Sequence, residues 1–255
     1  MFIESRGCGP AVVFIPGLGC DHTMYAPQVR DLSNRMQCVS LDVLGCGASP
    51  PLGDLAVSEV LDVQAEAIVQ AVRGIGVERA HVVGISYGGV LVQTLMLRHR
   101  DLLASAVICD SLCDTRPRTR REAVLLWPAR LQPAMLRLLP RAMLTATVRS
   151  GYRRWPQAGQ ALADTLATAR MRDLVLQRRA VNAVRYEELL AGCTTPTLCL
   201  VGDHSLFAVD MMRRTHRAIP GSQFAVIPGS FDPSSLCQPQ EFTRRIEAWV
   251  QEQEG

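Results

Sequence analysis

The chain has 255 residues, of which 48% are hydrophobic and 20% charged, a balance typical of a soluble globular enzyme. Its net charge of +3 is too small to indicate nucleic-acid binding. No apolar run approaches the roughly 20 residues that cross a bilayer, and the first residues lack the basic and apolar regions of a secretory signal. These features predict a cytoplasmic protein without nucleic-acid or membrane partners.

The cysteines and the basic residues also constrain the interpretation. The nine cysteines form no CxxC pair and no Cys/His cluster, so they predict a reducing compartment, with no metal and no cofactor. All 27 basic residues are arginine, which is typical of a GC-rich bacterial genome. An arginine-rich segment in this chain is therefore weak evidence for a charged ligand when taken alone.

Short apolar runs bounded by glycine or proline alternate with segments of helical period along most of the chain. Strands are predicted at 11–15, 38–41, 81–83, 104–109, 197–201 and 224–227. Helices are predicted at 25–34, 58–74, 89–98, 211–218 and 240–252. This order predicts an α/β fold with a mostly parallel, doubly wound sheet.

The alternation stops between Asp110 and Cys193, where helix formers broken by prolines replace strand signals. We therefore predict a helical cap at residues 112–191, inserted into a core formed by residues 1–111 and 192–255. The cap contains 15 arginines and six acidic residues, a net charge of +9. One interpretation is a lid that attracts an anionic or carrier-bound small-molecule substrate. The other is a solvated helical surface in an arginine-biased chain.

The most specific motif is Gly84-Ile85-Ser86-Tyr87-Gly88, which follows an apolar strand and leads directly into an apolar helix. In this strand–turn–helix setting, G-x-S-x-G is typical of a nucleophile elbow that holds its serine in a strained conformation. The start of the helix supplies free N–H groups and a positive dipole to a developing oxyanion. The motif predicts that Ser86 lies in the catalytic site.

Two further segments agree with the elbow: FIPGLG at 14–19 and DVLGCGAS at 42–49. Together with Ser86 they make the chain resemble the α/β-hydrolase superfamily over nearly its whole length. The resemblance implies an α/β-hydrolase fold with a helical cap. It also implies an oxyanion hole formed by the backbone N–H groups of Leu18 and Tyr87.

The chain departs from the family pattern at the other two triad positions. The family's acid follows a G-x-x-D motif after the seventh strand, and PTLCLVGDHS places Ser205 there. The family's histidine follows the last strand, and PGSFDPSSLCQP places Asp232 there. The resemblance therefore implies a degenerate Ser86–Ser205–Asp232 set, in which Ser205 would position Asp232.

Five histidines are present, and two of them are candidates for a recruited base. His22 follows the predicted oxyanion turn, and His204 lies beside the family's acid position. We interpret the other three histidines as surface residues. Asp110, at the end of the strand after the elbow, is interpreted as structural because no histidine is placed for it to orient.

A carboxylate of ordinary pKa is a poor base for a serine hydroxyl, which disfavours ordinary ester hydrolysis. It is a competent base for a proton next to a carbonyl, provided that an oxyanion hole holds the enolate. We therefore favour elimination, isomerisation, cyclisation or decarboxylation of a small carbonyl, ester or thioester compound, in a bacterial secondary pathway. Two alternatives remain open: a serine esterase or thioesterase with a recruited base, and a non-catalytic protein that binds a small molecule or a protein partner.

Overall fold

The computed structural model describes residues 1–255 and contains one seven-stranded sheet in the order β1-β3-β2-β4-β5-β6-β7. The strands are β1 (Phe2–Arg6), β2 (Ala11–Ile15), β3 (Gln37–Asp42), β4 (Ala80–Ile85), β5 (Leu103–Cys109), β6 (Thr197–Gly202) and β7 (Gln223–Ile227). Only β1 is antiparallel to its neighbour. The predicted mostly parallel α/β fold is confirmed.

Helices cover both faces of the sheet. They are α1 (Ala26–Leu32), α2 (Val60–Gly74), α3 (Tyr87–Arg98), α4 (Arg120–Leu138), α5 (Arg141–Gly151), α6 (Pro156–Thr168), α7 (Met171–Asn182), α8 (Leu206–Ala218), α9 (Ser234–Cys237) and α10 (Pro239–Glu254). Side chains alternate between the two faces of a strand, so Val13 and Ile15 pack with α2, α3 and α8. Val12 and Phe14 pack with α1 and α10 on the other face. Two apolar cores result, as a doubly wound sheet requires.

Four consecutive helices, α4 to α7, lie between β5 and β6, and we refer to them as the cap helices. Both ends of this segment are held by Arg214 of α8, which is 6% exposed. Its guanidinium is 2.6 Å from a Glu187 carboxylate oxygen and donates to the Arg116 carbonyl at 2.9 Å. Because Arg116 precedes the cap helices and Glu187 follows them, one buried cation joins their entry and exit to the core.

The edge strand β1 was not predicted from the sequence. Its five residues, FIESR, are only partly buried and pair with β3 alone. Such a strand needs no long apolar run, so the composition of the segment gives no strand signal.

None of the helices combines the length and the apolar character that a membrane crossing requires. All nine cysteines are unpaired, and eight of them are buried.

Candidate active site

Ser86 lies at the sharp turn between β4 and α3. Its φ of 55° is in the left-handed region, which is a strained conformation for a residue with a side chain. Two hydrogen bonds hold its backbone: Ser86 N–H donates to the Cys109 carbonyl at 2.8 Å, and Ser111 Oγ donates to the Ser86 carbonyl at 2.7 Å. The hydroxyl reaches the cavity described below, so the elbow has the geometry that the motif predicts.

Glycines let the strand, the turn and the helix approach one another closely at this elbow. A Cβ added to Gly84 would lie 2.2 Å from the Gly88 carbonyl oxygen, and one added to Gly88 would lie 2.1 Å from the Ile15 carbonyl oxygen. Both distances are far below van der Waals contact, and both involve backbone atoms that cannot move aside cheaply. The two glycines of the motif are therefore required by packing.

Two backbone amides are available beside Ser86. Leu18 lines the same cavity, and its N–H has no hydrogen-bond acceptor in the structure. Tyr87 is the first residue of α3, so the helix offers its N–H no acceptor. The Tyr87 side chain points away into the core, where its hydroxyl donates to Gln64. These contacts are compatible with an oxyanion hole formed by Leu18 and Tyr87, which stays a prediction.

The cavity has a volume of about 450 Å³ and lies between the elbow and the cap helices. Every cap helix contributes to its wall, and more than half of the lining residues are apolar. The polar or charged side chains in the lining are those of Ser86, Gln132, Thr147, Tyr152, Thr165, Arg178 and Asp232. No histidine lines the cavity.

Asp232 lines the same cavity and lies beside Ser86, whose hydroxyl acts on its carboxyl. Burial, and the neighbouring Asp110 carboxyl, raise its pKa from 3.8 to about 8. The Ser86 hydroxyl and the Arg178 guanidinium act in the opposite direction and lower the pKa of Asp232. A carboxyl with such a pKa is largely protonated at neutral pH, and it exchanges its proton easily in the neutral to mildly alkaline range.

The interpretation of Asp110 as structural left out its effect on the neighbouring Asp232 carboxyl. One carboxylate oxygen accepts the Gly202 N–H at 2.9 Å, and the other accepts the Ser234 N–H at 2.8 Å. Burial raises the pKa of Asp110, whereas these donors favour its charged form. Asp232 has no comparable pair of amide donors, so Asp110 is the better stabilised of the two in its charged form. The placement of Asp110 directly after β5, next to the elbow strand, was the available signal.

Ser205 does not position Asp232, which corrects the expectation drawn from its place in the sequence. It is the N-cap of α8, and its Oγ accepts the Ala208 N–H at 3.2 Å. Serine is favoured at this position because its side chain satisfies a free amide of the first helical turn. The carboxyl that acts on Asp232 is instead that of Asp110.

His22 is not placed to act as a recruited base, because it does not line the cavity, and its Nδ1 pairs with an Asp42 carboxylate oxygen at 2.8 Å. The same oxygen accepts the His22 N–H, and the other Asp42 oxygen accepts the Ala48 N–H. Asp21, His22 and Asp42 are close enough to share a cation. Asp21 accepts the Thr23 N–H, so the polar atoms of this group are engaged in holding their own loop.

His204 is not a recruited base either. Its ring stands edge-on to Trp155, with the ring centroids 4.8 Å apart, and it also contacts Phe231. The three other histidines are engaged outside the cavity. His81 pairs with Ser105 and Glu254, His99 with Glu66, and His216 with Ser222. The prediction that His81 is a surface residue is wrong, since it is only 2% exposed.

Comparison with known proteins agrees with the fold. Residues 12–230 match the model of the alpha/beta hydrolase family. The chain is 25% identical to 3-oxoadipate enol-lactonase 1 of Acinetobacter baylyi, over 94% of this chain and 88% of that protein. It is 34% identical to the pimeloyl-[acyl-carrier protein] methyl ester esterase of Chromobacterium violaceum, over 50% of this chain and 45% of that protein.

Solved structures show the same fold. An esterase from Thermogutta terrifontis superposes with a TM-score of 0.84 at 22% identity, covering 100% of this chain and 94% of that one. The enol-lactonase from Burkholderia xenovorans superposes with a TM-score of 0.83 at 20% identity, covering 98% of this chain and 96% of that one.

Proposed function

The chain belongs to the alpha/beta hydrolase family, and we propose that it is an acid–base enzyme in which Asp232 moves a proton at the carbon next to a carbonyl group. The observation that favours this function is the place of Asp232. It occupies the position where the family pattern has a histidine, faces Ser86, and is held beside the buried Asp110 carboxyl. A general acid–base group works best when its pKa is near the working pH, and a pKa of about 8 meets that condition.

Each group in the cavity then has a role in the reaction. The carbonyl oxygen of the substrate lies at the Leu18 and Tyr87 amides, and the Ser86 hydroxyl donates a third hydrogen bond. The Asp232 carboxylate removes a proton from the adjacent carbon; the electron pair of the broken C–H bond forms an enolate, whose oxygen the donors stabilise. Asp232, now neutral, returns the proton to another carbon or to a leaving group. Isomerisation, elimination and cyclisation use both proton transfers. Decarboxylation uses only the second, in which Asp232 donates its proton.

Hydrolysis through an acyl-enzyme on Ser86 is the second candidate, because two of the relatives are named as a lactonase and a methyl ester esterase. Asp232 would then act as the base for the Ser86 hydroxyl. This route has a specific weakness here. Activation of the serine in such a mechanism ordinarily depends on an imidazole base, and no histidine lines the cavity.

The test uses two readouts on the full-length protein. A fluorophosphonate probe reports an activated Ser86 by intact mass, and ¹H NMR in D₂O reports proton exchange next to the carbonyl of short ketones, oxo acids and acyl thioesters. We expect exchange by the wild type, loss of exchange in Asp232→Asn, and no adduct on Ser86. Rapid labelling of Ser86 with no exchange would support the hydrolase and contradict the proposal. Binding of these compounds without exchange would indicate a non-catalytic protein and would also contradict the proposal.

A further inference from the structure

One cationic side chain in the cavity forms no ion pair within the protein. Arg178 of α7 is the only arginine among the lining residues, although the segment between β5 and β6 contains 15 arginines. Its guanidinium forms no ion pair, and its one hydrogen bond is a long contact of 3.4 Å from Nε to the Ala129 carbonyl. On the same helix, Arg172 pairs with Asp54 outside the cavity. Arg178 is thus a half-buried charge that is paired with no carboxylate.

The surroundings of Arg178 make this arrangement costly. Burial lowers its pKa, which shows that the site disfavours the free cation, although a guanidinium remains charged at any physiological pH. The only acid that acts on it is Asp232, which is mostly neutral at pH 7 because it retains its proton. An unpaired charge in an apolar cavity is destabilising unless a ligand supplies the opposite charge.

The neighbouring side chains do not supply that charge. Arg178 shares the cavity with Leu136, Leu139, Leu174 and other apolar side chains, and the remaining polar lining residues, apart from Asp232, are uncharged. Guanidinium groups bind carboxylates through two parallel hydrogen bonds, a geometry that gives orientation as well as affinity. The rest of the cavity wall is mostly apolar, which favours a ligand with a short hydrocarbon chain beside its polar groups.

We propose that Arg178 binds a carboxylate of the substrate, so that the enzyme acts on short oxo acids whose reacting carbonyl and carboxylate both lie in the 450 Å³ cavity. The position of the carbonyl rests on the proposed function, whereas the carboxylate site rests on Arg178 alone. The substrate is therefore recognised by one half-buried arginine and not by the arginine-rich cap as a whole.

Arg179 provides a matched control for this proposal. It follows Arg178 on the same helix, is exposed, forms no ion pair and lines a different, shallow depression on the surface. Arg178→Gln and Arg179→Gln remove the same charge from adjacent residues, one inside the cavity and one outside. Circular dichroism and thermal unfolding of both variants establish that each is folded before binding is measured.

Isothermal titration calorimetry at pH 6 compares 4-oxopentanoate and 5-oxohexanoate with their methyl esters, which lack the charge. We expect each acid to bind the wild type and Arg179→Gln at least about tenfold more tightly than its ester, the effect of one charged hydrogen-bonded pair. Arg178→Gln should lose this preference while its affinity for the esters stays unchanged. Equal binding of acids and esters by the wild type, no binding of any acid, or a preference that survives in Arg178→Gln would overturn the proposal.

This test separates the proposal from the reaction mechanism, because binding is measured without turnover. Asp232→Asn resembles the protonated side chain and should bind the acids at pH 6 as the wild type does. If the carboxylate preference depends on Arg178 but no variant exchanges protons, the carboxylate site stands and the proposed function fails. If proton exchange occurs on neutral ketones alone, the mechanism stands and the carboxylate site fails.

Discussion

Asp232→Asn is expected to slow proton exchange next to the substrate carbonyl by about 10²–10⁴-fold, the usual contribution of a general acid–base group. Ser86→Ala is expected to cost only about tenfold, because the serine supplies one hydrogen bond to the enolate oxygen. In an acyl-enzyme mechanism this order is reversed, since removing the nucleophile there costs about 10⁶-fold. NMR exchange rates of the wild type and both variants with the same oxo acid test this order, and an acyl-enzyme mechanism would give no exchange in any of them.

The pH dependence of the wild-type rate follows from the same carboxyl. Asp232 acts as a base only when it is ionised, and its pKa is raised to about 8. The rate should therefore rise with pH below 8 and level off above it, whereas Asp232→Asn should show no such rise. Ser205→Ala serves as the control, because the loss of an N-cap costs about 1 kcal/mol of stability without reaching the cavity. A rate that is already constant from pH 5 upward would contradict an Asp232 base of raised pKa.

Gly88→Ala is expected to abolish stable folding. The added Cβ would lie 2.1 Å from the Ile15 carbonyl oxygen and 2.8 Å from that of Pro16, so two strands and a helix would have to move apart. A clash of this kind against backbone costs more than about 4 kcal/mol, a large part of the stability of a typical domain. Urea unfolding followed by circular dichroism measures this loss.

Gly151→Ala is the comparison for that experiment. Gly151 ends α5, and an added Cβ there meets open space. Alanine has the higher helix propensity, so this change should leave the unfolding free energy equal or raise it by up to about 1 kcal/mol. Similar unfolding curves for the two variants would show that the elbow is less tightly packed than the distances indicate.

The parts of this molecule that depend on local sequence were predictable. The elbow was predictable because its glycines, its serine and the flanking apolar runs are contiguous, and Asp232 was placed by its spacing from Leu236, Gln238 and Pro239. The strands of the sheet interior were predictable because they are apolar on both faces. The edge strand Phe2–Arg6 was not, since it is short, half-exposed and paired on one side only.

The supporting residues of the site depend on contacts between distant parts of the chain. Asp110 accepts amides from residues 92 and 124 positions away, and no local pattern indicates those partners. Ser205 occupies the family's acid position, yet a serine before a helix is equally suited to cap it, and that role prevails. Arg178 is one of many arginines, and only the packing of α7 shows that it faces the cavity.

The most direct measurement is the titration of the Asp232 carboxyl itself. Carboxyl ¹³C NMR of protein labelled at aspartate, compared with the same spectrum of Asp232→Asn, identifies the resonance and its midpoint. Burial beside Asp110 predicts a midpoint near 8, with the proton held on Asp232 throughout the neutral range. A midpoint close to the ordinary aspartate value of about 3.9 would show an ionised carboxylate at neutral pH, and it would contradict Asp232 as the acid–base group described above.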